Sequence, residues 1–424
     1  MEEFSEQLEL FARENNEVGT VSIRHVQRIA AGQFASDRLR PATARLLERH
    51  FESPIEELLI SPENKNLSAR RSDLLAQADQ PDCAASALGL RAGKVASLCR
   101  RDSLKQHSVV FSALGFDELR HLGAALDDAR RYCDIEVVGY FKKQLNSCAS
   151  NDGAHGPAQA LPPALGVVAA IEIHAREVKA DVRRELLTVG AQAAEFVGWL
   201  YRDARQPRLS GHWRDRAMEW AQEAGDLPMQ GYLLLKKSQA AWDERDGLRM
   251  LTLAQAAHDG PWQLPPLVRA EVTQQEARGL AMTGESSAVV DAKLDEAWEI
   301  FTAAEATASE LGCHYDRALL AMQTAICYCE AGRPGQAALV YREHLNDGHI
   351  SRRDRGYFLS LTASAWTQAA EPDNAASAGQ EALTIAVETY SLRTIHELKR
   401  VCVLLEPWRS QPAVRDLRDA VLPL

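Results

Sequence analysis

Arg24, Gln27, Arg28 and Ala31 stand at positions i, i+3, i+4 and i+7 of one short stretch. On a helix that spacing puts two guanidiniums and an amide on one face, with Val26, Ile29 and Ala30 on the other. Arg and Gln are the side chains that contact guanine and adenine edges bidentately in the major groove, so the chemistry on offer is base reading. Ser22 suits the N-cap and Gly32 the stop. Ser22 and Ile23, in the first turn, are grouped with the base-reading residues. The same spacing also describes an ordinary amphipathic surface helix.

A second polar stripe has the same period. Glu271, Gln274, Gln275 and Arg278 share one helical face, Lys236 and Gln239 extend it one helix pair earlier, and Gln323 one pair later. These are donors and acceptors for a ligand, and equally the residues of a solvated helix face. Signatures of catalysis are missing from the sequence. It holds no G-x-x-x-x-G-K-[ST], no G-x-G-x-x-G after a strand, no H-E-x-x-H and no G-x-S-x-G. The eight cysteines form no C-x-x-C, which points to reduced, mostly buried thiols and no structural zinc. No enzyme activity, cofactor or metal is expected.

The base-reading face needs a frame. Residues 4–15 read as a helix with Leu8, Phe11 and Ala12 inward, ending at Asn15 and Asn16, with Gly19 in the connection to Ser22. Downstream, Pro41 suits a first helical turn, and Ser53, Pro54, Glu56 and Glu57 make a cap, a Pro at N1 and an acidic first turn. The run Val21, Ser22, Val26, Ile29, Gly32, Ala44, Leu47, Phe51, Pro54, Glu57, Leu58 resembles the Cro/C1-type (XRE-like) helix-turn-helix domain of actinobacterial multi-domain regulators, over roughly the first sixty residues. In that family an R-H-V-x-R recognition helix and an L-R-P-x-T-A-R-x-L-E-x-x-F helix recur. The resemblance implies double-stranded DNA as partner and a homodimer, because one recognition helix reads a half-site.

Charge agrees with a local rather than a general DNA contact. The chain of 424 residues carries a formal net charge of −11, which argues against coating nucleic acid non-specifically. From Arg24 to Arg49 six arginines face only Asp37 and Glu48. Arg38, Arg40 and Arg45 in that basic patch are the expected phosphate contacts. Composition is that of a globular protein, 46% hydrophobic and 25% charged. No apolar run approaches the ~20 residues of a membrane span, and no basic-then-apolar leader stands at Met1, so the cytoplasm is the expected location.

Residues 62–163 read as a linker with helical segments, closing in a small, polar, Gly- and Pro-rich stretch at 147–163 that is expected to be an exposed loop. From 164 to 424 the pattern is helical in pairs of roughly forty residues, punctuated at Gly225, Gly284, Gly332 and Pro334, and Pro372. This resembles a degenerate tetratricopeptide-type solenoid, whose concave face, lined by the first helix of each pair, is built to hold something extended. The expected architecture is all-α. A helix-turn-helix head at 1–61 and a linker at 62–163 precede a tetratricopeptide-like α-solenoid at 164–424. The expected function is sequence-specific transcription regulation, with Lys236, Gln239, Gln274, Gln275, Arg278 and Gln323 holding a peptide or small-molecule signal. A protein-interaction scaffold with a reduced, non-DNA-binding head is the alternative.

Overall fold

The computed structural model describes residues 114–304, 311–345 and 350–424, together with positions 11, 12, 47 and 49. The expected helix-turn-helix and the candidate DNA contacts Ser22, Ile23, Arg24, Gln27, Arg28, Arg38, Arg40 and Arg45 lie outside the described residues. The chain divides between Ser86 and Ala87, and the helices described below all belong to the second unit, Ala87–Leu424.

Among the described residues there is no strand, and sixteen α-helices succeed one another. They are α1 (Phe116–Asp127), α2 (Ala129–Tyr132), α3 (Ile135–His155), α4 (Pro157–His174), α5 (Ala180–Asp203), α6 (Pro207–Ala224), α7 (Leu227–Asp243) and α8 (Gly247–Asp259). Then come α9 (Pro266–Met282), α10 (Ser287–Ala304), α11 (Arg317–Glu330), α12 (Pro334–His344), α13 (Arg352–Gln368), α14 (Pro372–Glu388), α15 (Leu392–Leu404) and α16 (Pro412–Val421).

One turn recurs within the pairs. The second residue past the end of α5, α7, α9, α11 and α13 is left-handed, at Arg205, Arg245, Gly284, Gly332 and Ala370. The next amide then bonds back five residues, as in Gln206 to Tyr201, Asp246 to Ala241, Glu285 to Leu280, Arg333 to Tyr328 and Glu371 to Trp366. This is the Schellman closure, which satisfies helix-end carbonyls and reverses the chain in a fixed direction. Glycine fills the left-handed position only twice, so the geometry is imposed at the other three by the packed helices on either side.

The helices pack closely because their contact faces are small. Ala191, Ala217, Ala277, Ala325 and Ala363 are fully buried. A Cβ built on Gly279 of α9 would stand 2.8 Å from the Leu251 Cα of α8, so that crossing requires glycine. Larger side chains fill what remains: Leu186, Leu233 and Met250 have no exposed surface. Truncating such a leucine to Ala costs ~2–5 kcal/mol.

The stretch expected to be an exposed loop at 147–163 is helical. Asn151, Asp152 and Gly153 continue α3, the break is confined to Gly156, and Pro157 starts α4 at its first turn, with Pro162 and Pro163 inside that helix. Composition suggested a breaker, but burial overrides it: Ala160, Leu161, Ala164 and Leu165 sit in the same core cluster as Leu186 and Leu233. The chain then breaks between His174 and Ala180, where α5 begins.

Consecutive helices pack side by side, and the inner ones also meet across this unit. α3 packs against α13, and α5 against α15. The row of helix pairs therefore closes on itself. Gly156, at φ 84°, seats the α3–α4 turn on the end of α14, where an added Cβ would lie 1.8 Å from the Thr389 carbonyl oxygen.

Candidate functional site

Inside that closure lies a cavity of about 370 Å³. Its wall comes from the odd-numbered helices, α3, α5, α7, α9, α11, α13 and α15, with His314 from the turn before α11. One helix of each pair faces inward, and its inward face carries the polar residues.

The seam between early and late helices is built around Trp199 of α5. The guanidiniums of Arg393, Arg353 and Arg202 lie 4.6, 4.7 and 5.5 Å from its ring centroids, within cation–π range. Its indole N–H donates to Asp152 Oδ2 at 3.1 Å. Each arginine has an aspartate. Arg202 donates to Asp243 at 2.9 Å, Arg353 pairs with Asp152 at 3.3 Å, and Arg393 Nε donates to Asp203 at 3.2 Å. Ser391 Oγ adds a bond to Asp203 at 3.1 Å. Arg393 also lies 3.6 Å from the Tyr357 ring centroid.

Two acids show how burial and pairing compete. Burial pushes the Asp152 carboxyl up to about 6, aided by neighbouring Asp203 and only partly countered by Arg353. Burial would also raise Asp243, but the Arg202 guanidinium outweighs it and holds that carboxyl below its ordinary value.

The second cluster joins α7, α9 and α11. Lys236 Nζ donates to Glu271 Oε1 at 3.1 Å and lies 4.5 Å from the Tyr232 ring centroid; Gln239 Nε2 donates to the same carboxylate oxygen at 2.7 Å. His314 Nε2 approaches Glu271 Oε2 at 3.4 Å. Burial raises Glu271, and Lys236 and His314 more than reverse this, so its carboxyl stays well below the usual carboxylate range. Arg278 of α9 donates to Gln323 of α11 and stacks 5.3 Å from the Trp242 ring centroid. Trp242 donates its own N–H to Glu330 at 2.9 Å.

Of the residues singled out from sequence as ligand-binding, Lys236, Gln239, Arg278 and Gln323 line this cavity together. Gln274 and Gln275 do not. Gln274 is 1% exposed and spent on packing: its amide donates to Leu320 O at 2.8 Å and Thr324 Oγ1 at 2.7 Å, and Tyr315 donates to its carbonyl at 2.5 Å. Gln275 is equally buried. Nor is the stripe a solvated helix face, since Glu271 and Arg278 are each only 2% exposed. Sequence reading missed Asp152, Trp199, Arg202, Arg353 and Arg393. Arg353 stands in the charged first turn of α13, with Arg352, Asp354 and Arg355. Ser351 caps α13 there, accepting the Asp354 amide, and Arg353 turns inward at 5% exposure. The usable signal was the spacing of Arg353 and Tyr357, one helical turn apart.

Among the described residues one trio has metal-ligand reach, His121 of α1 with Asp134 and Glu136, whose ligand atoms lie within 4.8 Å of one another. Both carboxylates are exposed, and Asp134 is occupied as the N-cap of α3, accepting from Glu136 and Val137. The described cysteines are all free; Cys133, Cys148, Cys327 and Cys402 are buried and Cys313 is exposed. Burial pushes the Cys327 thiol up to about 11, which makes it unreactive. No described helix is long and apolar enough to cross a membrane. No protein-family model, curated protein or solved structure matches the chain.

Proposed function

We propose that this protein is a sequence-specific DNA-binding transcription regulator of the Cro/C1 (XRE-like) type, whose tetratricopeptide-like body senses a peptide or small-molecule signal. It acts as a cytoplasmic homodimer on double-stranded DNA. The observation that carries the sensing half is the cavity, where residues from seven inner helices converge and Lys236, Gln239, Arg278 and Gln323 meet on one wall. Pockets of this size with an aromatic lining and a few fixed polar groups are what small ligands bind. The DNA half rests on the helical spacing of Arg24, Gln27 and Arg28 and on the basic patch downstream of them. The inner helices α3 and α5 touch α13 and α15, so a ligand between them would bias the whole unit, which a regulator requires.

Genome-wide recovery of DNA bound by the full-length protein tests the DNA half. On a recovered site, Arg24→Ala or Arg28→Ala is expected to weaken binding by ~1–3 kcal/mol and to relax specificity at one position. Losing Arg38, Arg40 or Arg45 should instead lower the salt slope by about one unit on any sequence. If no fragment is enriched, the regulator assignment fails and the cavity remains to be explained as part of an interaction scaffold.

A further inference from the structure

The charges on the cavity wall define the chemistry of the ligand. Five Lys or Arg side chains line it. Arg202, Lys236, Arg353 and Arg393 are each answered by a carboxylate, from Asp243, Glu271, Asp152 and Asp203 respectively, and Arg353 has a second in Asp354 of the wall at 3.0 Å. Arg278 has no such partner among the described residues. It donates to the neutral amide of Gln323, bonds the neutral Cys327 thiol, faces the Trp242 ring, and leaves its Nε without a hydrogen bond. A guanidinium keeps its charge at any working pH, and a buried cation with no counter-charge is strongly unfavourable. The carboxylate on the wall that lacks an ion pair, Glu195, is partly exposed and lies in the field of Arg214. One positive charge is thus held at a fixed point of the wall, unanswered.

The surroundings of that charge are apolar. Trp242 lies beneath it, and Leu319 and Ile326 flank Gln323 on one face of α11, at i, i+4 and i+7. The volume of about 370 Å³ suits a small molecule rather than a folded or long extended partner. We infer that the cavity binds a small amphipathic anion, a carboxylate or phosphate carried on a flat apolar body, with Arg278 and Gln323 holding the charged group and Trp242 the body. This rests on the sensing role of the cavity and assigns the ligand class to it.

The test uses the full-length protein and two fluorescent probes with the same ring systems, 8-anilinonaphthalene-1-sulfonate and its uncharged counterpart N-phenyl-1-naphthylamine. The sulfonate is expected to bind at least about tenfold more tightly than the amine, the gain of one charge-assisted contact. Displacement by 1-naphthoate and by 1-naphthyl phosphate, compared with neutral 1-naphthamide, tells which headgroup the site prefers. Arg278→Met should weaken the sulfonate about ten- to a hundredfold, leave the amine unchanged, and raise the Tm of the free protein by about 2–4 °C, because an unanswered buried charge is gone. Arg278→Lys should retain part of the preference. Arg352→Met, at an exposed arginine, should change neither affinity. Equal affinities for the two probes in the parent would overturn the anion assignment. So would an Arg278→Met variant that loses stability and keeps its sulfonate affinity. If neither probe binds the parent, the cavity is not a ligand site, and the sensing role fails with it.

Discussion

Around Trp199 three arginines face four aspartates, Asp354 sharing Arg353 with Asp152; around Trp242, Arg278 faces an amide. The two clusters are made of the same parts. Each tryptophan donates its N–H to a carboxylate, Asp152 in one case and Glu330 in the other, and each carries guanidiniums over its ring. They differ in whether the charges close. The Trp199 cluster joins α3 and α5 to α13 and α15, and its carboxylates come from the protein itself. The Trp242 cluster lies between neighbouring inner helices and leaves one charge over. A complete set of pairs holds helices together, whereas the incomplete one leaves the charge that the proposed anion would answer.

The sharpest way to break this contrast is at Asp203, which has no exposed surface and accepts from both Ser391 and Arg393. Asp203→Ala strands Arg393 and weakens the hold on Arg353, and is expected to lower stability in urea unfolding by ~3–5 kcal/mol. A loss below about 1 kcal/mol would mean the seam does not hold the fold.

Acid should distinguish two carboxylates. Asp152 titrates at about 6 in the folded chain, above its ordinary 3.8, so between those values the folded state keeps a proton that the unfolded state has released. Its contribution to stability grows as pH falls through 6 and is lost as pH rises through it. Glu271, held low, contributes above its ordinary 4.5 and loses that only below it. From about pH 7 to about pH 5 the parent should therefore gain roughly 1–2 kcal/mol relative to Asp152→Asn in urea melts. An identical pH dependence of parent and variant would contradict the placement of Asp152.

Smaller effects sharpen the boundary between packing and binding. Gln274→Ala leaves Tyr315 and Thr324 short of partners inside the protein and should cost ~1–3 kcal/mol in thermal melts, with probe affinity in the cavity unchanged. Arg352→Ala removes an exposed pair with Glu388, and the same melts should move by less than about 0.5 kcal/mol. Its neighbour Arg353 belongs to the seam, so adjacent positions should differ greatly in cost.

The helix pairs were legible because their punctuation is chemical. Gly332 and Pro334, or Gly284, mark a reversal whatever surrounds them, and the turns after α9 and α11 fall at those residues. Residues 147–163 misled for the same reason: Gly and Pro there read as a loop, while burial of Ala160 and Leu161 makes them helix. At the site, Arg278 and Gln323 were recoverable from helical spacing. Gln274 shares that spacing and serves packing, because one helical face cannot say which of its polar residues meets a partner and which meets space. The spacing of Arg353 and Tyr357 marks a shared helix face, but their meeting with Trp199 and Arg393 was beyond reach, since the chain between 203 and 393 had to be closed before they became neighbours.

That closure bears on how the protein is made. In an open row of helix pairs each contact joins near neighbours, and the array can form and melt piecemeal. Here the pairings of Asp152 with Arg353 and of Asp203 with Arg393 span about two hundred residues. Contacts of such separation must overcome loop-closure entropy before they stabilise anything, and they tend to form late. On the ribosome, α3 to α12 can assemble locally while α13 and α15 are still unmade. The cavity acquires its last wall only when residue 393 has emerged, so translation itself sets the moment at which that space is complete.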